Sequence, residues 1–88
     1  MTSDLIAVVG SVTTASRLER KLNENGRAFS RIVHTPAELG KGGCSYSIRT
    51  NGKNLPVVIE TANKYKIRVK GYFLIETSDG KEVYHALS

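Results

Sequence analysis

The sequence predicts an α+β fold in the element order β-α-β-β-α-β(-β), and three observations predict it. Leu5-Ile6-Ala7-Val8-Val9 is an unbroken apolar run closed by Gly10, the pattern of a central strand buried on both faces. Two stretches with apolar residues at helical spacing follow, each flanked by residues suited to cap a helix. The segments between and after them are short, rich in β-branched and aromatic residues, and bounded by Gly, Asn, Asp and Pro.

After Gly10, Thr13 or Thr14 can cap a first helix in which Ala15, Leu18 and Leu22 share one face, and Gly26 makes a stop after Asn25. Phe29 to His34 predicts the second strand, with Arg31 interrupting its alternation. A Gly-rich loop leads to a third strand, Ser45 to Thr50, where Tyr46 and Ile48 fall on one side. Asn51-Gly52 marks a turn. Asn54 is then a cap for a second helix with Leu55, Val58, Ile59, Ala62 and Tyr65 as its stripe, and Pro56 is tolerated in the first turn. Val69 to Glu76 predicts a fourth strand. Ser78-Asp79-Gly80-Lys81 reads as a hairpin turn into a fifth, Glu82 to Leu87.

This order is that of the ferredoxin-like, split β-α-β sandwich: an antiparallel sheet in the order 4-1-3-2, two helices on one face, and a fifth strand paired to the fourth. Its length of 88 residues leaves room for one domain, spanning 1–88, with one modest core. Hydrophobic content of 40% and charged content of 24% are those of an ordinary globular chain. The start, Met1-Thr2-Ser3-Asp4, lacks a basic region, and the apolar run is too short for a secretory or membrane segment. A cytoplasmic protein is expected.

Cys44 is the only cysteine. A lone thiol cannot close an intramolecular disulfide or complete a cysteine metal cage, which fits a reducing compartment. It leaves two readings, an inert buried cysteine or a single reactive thiol. Gly42 and Gly43 directly precede it and Ser45 follows. By the right-handed crossover rule, strands 1 and 2 run the same way with strand 3 between them. The loop with Cys44 then shares one end of the molecule with the start of helix 1 (Thr13, Thr14), with His34 and with the turn carrying Lys64, Lys66 and Arg68. A helix N-terminus and cations both favour a thiolate, the reactive form of the thiol. His34 is a candidate base or ion-pair partner for it, although a polar strand-end histidine is the plainer reading.

Other chemistries find little support. His34 and His85 with one cysteine fall short of the three or four ligands that zinc takes, so no metal site is expected. Gly40-Lys41-Gly42-Gly43 lacks the spacing of a phosphate loop. The net charge of +5 favours an acidic partner. Nucleic acid is not the expected one, because strand 1 has no aromatic residue and strand 3 only Tyr46, where RNA-recognition modules stack bases.

The segments from Asp4 to Glu76 together resemble the selenium/sulfur carrier family of small bacterial proteins. The resemblance rests on Leu5 to Val9 running into Ser11-Val12-Thr13-Thr14-Ala15, then Leu18-Glu19 and Leu22. It continues through His34-Thr35-Pro36, Glu38-Leu39, and Gly43-Cys44 ahead of Tyr46-Ser47-Ile48. It implies a ferredoxin-like domain that carries sulfur or selenium on Cys44, the one residue it carries over, as a persulfide or selenosulfide; beside it, Thr35, Pro36, Gly42, Gly43 and Ser45 are read as the supporting loop. It implies no resident cofactor, a donor such as a cysteine desulfurase, and an acceptor protein. The competing expectation is a small binding or regulatory module in which Cys44 is incidental.

Overall fold

The computed structural model describes residues 3–24, 26, 29–39 and 45–87. Five strands form one open antiparallel sheet: β1 (Asp4–Val8), β2 (Ser30–His34), β3 (Tyr46–Asn51), β4 (Gly71–Ser78) and β5 (Lys81–Leu87). Two helices, α1 (Val12–Glu24) and α2 (Leu55–Lys64), complete the fold. The strand order is β2-β3-β1-β4-β5. The expected order 4-1-3-2 differs in detail. It covers four strands and numbers them from the opposite edge; the fifth strand lies outside β4 and pairs with it, as expected.

The central run behaves as its composition dictates. β1 is hydrogen-bonded on both sides, with Ala7 opposite Ile48 of β3 and Tyr72 of β4. Leu5, Ala7 and Val9 face the helices and pack with Leu18, Leu22, Val58 and Ile67. Ile6 and Val8 point the other way into a smaller cluster with Ile75, flanked by Phe73, Tyr84 and Leu39. Every residue from Leu5 to Val9 is therefore buried although only one sheet face carries helices. On the helix-free face Arg49 reaches across the sheet, its Nε 2.9 Å from Asp4 and its Nη2 3.1 Å from Glu82. Partial burial opposes the Arg49 charge, but the bonds to these two carboxylates outweigh it and raise the pKa.

Several local expectations are corrected. The cap of α1 is Ser11, whose Oγ accepts from the Thr14 amide at 3.2 Å and donates to Thr14 Oγ1 at 2.9 Å. Asn54 caps nothing; its amide donates to Thr50 Oγ1 at 2.9 Å in the interior. Asn51 instead accepts from the Lys53 amide and starts a 3₁₀ turn, Gly52–Asn54, ahead of α2. The α2 stripe packs on the core at Leu55, Val58, Ala62 and Tyr65, as expected, with Thr61 buried beside them, while Ile59 is 38% exposed. β2 begins at Ser30, since pairing with β3 starts there, and Phe29 beyond the ladder is 92% exposed. β4 runs from Gly71 to Ser78 because the β5 partner extends it as far as the Ser78–Lys81 pair. Asp79 (φ +50°) and Gly80 (φ +77°) make the two-residue turn between them, both in the left-handed region that a twisted hairpin requires.

Candidate functional site

The antiparallel register gathers four chain segments at one end of the sheet: the end of β1, the start of α1, the β2–β3 connection and the residues leading into β4. Backbone bonds fasten them together. The amides of Val9 and Gly10 both donate to the Tyr46 carbonyl at 3.1 Å, Thr35 donates to the Ser45 carbonyl at 3.0 Å, and Lys70 donates to the Val8 carbonyl at 2.7 Å.

The predicted residues divide at this end. Cys44, Gly42 and Gly43 lie outside the described residues. Ser45, next to the cysteine, sits just ahead of β3, and its hydroxyl is buried without a partner among the described residues. The hydroxyl of Thr35 is 2.6 Å from that of Ser47, which is itself fully buried. Pro36 opens a turn in which its carbonyl accepts from the Leu39 amide at 2.9 Å, and Leu39 packs on the Ile6–Val8 cluster of the helix-free face. The His34 ring lies against Tyr46, centroids 4.9 Å apart and tilted by 35°.

Of the expected thiolate-stabilising groups, Thr13, Thr14, Lys66 and Arg68 come together in one cleft of about 400 Å³. Lys64 does not join them. As the last residue of α2 it places its ammonium 5.5 Å from the centre of the Tyr65 ring, an attraction typical of cations over aromatic faces. Two residues missed in the sequence complete the cleft, Arg17 and Lys70. The Arg17 guanidinium donates to the Tyr65 carbonyl at 3.1 Å, tying α1 to the end of α2. Lys70 stretches over Gly10, where an added Cβ would lie 3.2 Å from its ammonium. Gly10 has φ +104°, a conformation suited to glycine. A signal for Lys70 was present. Ile67 and Val69 alternate with Arg68 and Lys70, so an extended chain that turns the first pair inward turns the two cations outward together, while Lys66 reaches the cleft from a left-handed turn residue (φ +55°).

Among the described residues no group of three or more His, Cys, Asp or Glu side chains is placed to hold a metal ion, and no helix is long and apolar enough to cross a membrane. The family described as "Putative Se/S carrier protein-like" matches residues 4–74. The chain belongs to that family. The matched span of this Se/S carrier-like chain takes in β1 to β3, both helices and the first half of β4, with Cys44 inside it. No curated protein and no solved structure matches the chain.

Proposed function

We propose that the protein is a sulfur or selenium carrier that holds its cargo on Cys44 and passes it from a donor to an acceptor protein in the cytoplasm. The observation that carries this reading is the family match across residues 4–74, a span whose only cysteine is Cys44. The transfer balances without a cofactor. The Cys44 thiolate attacks the outer sulfur of a donor persulfide, a Cys44 S–S bond forms, the donor S–S bond breaks, and the donor leaves as a thiolate. The acceptor thiolate repeats the exchange in the opposite sense. A cysteine desulfurase is a donor of the required class, and the selenium case runs through the corresponding selenosulfide.

The ferredoxin-like arrangement suits such a carrier, because it brings three connections to one end of the sheet. Cys44 precedes Tyr46 by two residues, and the Tyr46 carbonyl fastens the β1–α1 turn on which the cationic cleft is built. Positive charge on that side favours an anionic sulfur, both as the attacking thiolate and as the bound persulfide.

Intact-mass analysis tests the reading. The protein incubated with a desulfurase and cysteine gains about 32 Da per sulfur transferred, and Cys44→Ser abolishes the gain while keeping the native spectrum. A gain that persists in the serine variant, or that no persulfide donor produces, removes the carrier function and leaves the binding module.

A further inference from the structure

We propose that the cleft between α1 and the residues entering β4 binds a compact dianionic oxyanion. Four cationic side chains line it: Arg17 from α1, Lys66 from the turn that follows α2, and Arg68 and Lys70 from the segment before β4. Among the described residues none of the four is paired with a carboxylate, whereas Lys21, Arg49 and His85 are. Charge of one sign gathered in a concave surface focuses the field there and raises the local concentration of anions. A single charge would leave most of that field uncompensated, so a dianion is the better fit.

The cleft also has the donors an oxyanion takes. Arg17 is held in place by its bond to the Tyr65 carbonyl, so its remaining N–H groups point from a fixed fork. The Thr13 hydroxyl is exposed on the wall. Ser11 occupies the amide of Thr14, and its carbonyl takes that of Ala15, which leaves the amides of Val12 and Thr13 unbonded among the described residues. The volume of about 400 Å³ corresponds to roughly a dozen water molecules at about 30 Å³ each. A tetrahedral oxyanion with part of its hydration shell fits it. Two sources share this chemistry, a sulfur oxyanion such as thiosulfate and a phosphate group.

The inference stands on the cleft alone, and its test removes the thiol so that it cannot fail together with the carrier reading. The full chain carrying Cys44→Ser and labelled with ¹⁵N is titrated by NMR with thiosulfate and, separately, with phosphate. The pH is about 8, where both are dianions, in low salt. Sodium chloride at matched ionic strength is the control. Saturable shifts confined to the amides of Val12, Thr13 and residues 66–70 are expected, at concentrations on the order of millimolar. Adding Lys66→Gln, Arg68→Gln and Lys70→Gln should weaken the affinity about tenfold or more, whereas Lys64→Gln should leave it unchanged. Preference for one anion assigns the source, and equal binding of both defines a general dianion site. Shifts that merely track chloride, that spread over all surface lysines, or that survive the triple substitution overturn the proposal.

Discussion

The hydroxyl pair of Thr35 and Ser47 joins the β2–β3 connection to the sheet directly beside the segment that carries the cysteine. Ser47 is fully buried in a pocket where its hydroxyl has Thr35 at 2.6 Å as its partner. Thr35→Val keeps the shape and removes that partner, so an unsatisfied buried hydroxyl remains, at a cost of about 1–2 kcal/mol. Replacing both, with Ser47→Ala added, should recover part of that loss. A denaturant-melt double-mutant cycle measures it, and equal losses in the single and double variants would mean the pair contributes through packing alone. Neither residue shows this pairing in the sequence. Thr35 stood out only for its place beside Pro36, because the bond depends on the register of β2 against β3. The lysines show the same limit. Lys64, Lys66 and Arg68 are equivalent as a cluster of charges, but Lys64, at the end of α2, lies over Tyr65, while the turn after the helix brings Lys66 to the cleft with Arg68 and Lys70.

Elements were more legible than their ends. Leu5 to Val9 could only be a strand buried on both faces, since five successive apolar residues leave no polar side to turn to water. The stripe of α1 was equally plain, with Ala15, Leu18 and Leu22 buried as their spacing requires. In α2, Leu55, Val58, Ala62 and Tyr65 meet the core as their spacing requires, and only Ile59, 38% exposed, departs from the stripe; the 3₁₀ turn Gly52–Asn54 ahead of it has no periodicity to report it in advance. The β4–β5 hairpin was legible because Asp-Gly suits a turn with two left-handed residues. Its strength is testable at Gly80, where φ is +77° and an added Cβ meets no neighbouring atom. Any cost of Gly80→Ala therefore comes from the backbone, about 1–2 kcal/mol. Thermal unfolding followed by circular dichroism measures it. A neutral substitution would show that the turn changes type without loss.

At the scale of the whole molecule, the sheet has two apolar faces of unequal size, and two tyrosines report on them. Tyr72 lies among the side chains of the helix-side groove and Tyr84 beside the Ile6–Val8 cluster. Burial raises the pKa of Tyr72; burial first, and then the hydrogen bond to Glu82, raises that of Tyr84. For both, the folded value lies above the unfolded one of about 10. Their contribution to stability is therefore complete below about pH 10 and is lost as the pH rises through the folded values. The denaturant midpoint should fall as the pH rises past about 10, and it should fall less in Tyr72→Phe and in Tyr84→Phe. An identical fall in both variants would detach alkaline unfolding from these rings. Tyr84 belongs to a strand beyond the family match, so the helix-free face depends in part on residues outside the matched span. The sequence showed that a fifth strand follows but gave no sign that it closes a second apolar cluster.

The cationic cleft takes its walls from the β1–α1 turn, the body of α1 and the approach to β4, which are distant in sequence and meet only in the folded chain. An unfolded chain has no such site, so an occupant acts on the folding equilibrium as well as on the surface it touches. By mass action a ligand at about 100 times its dissociation constant adds about 2.7 kcal/mol to the folded state. The melting temperature thereby becomes a concentration gauge, rising with millimolar dianion where the same ionic strength of chloride leaves it in place.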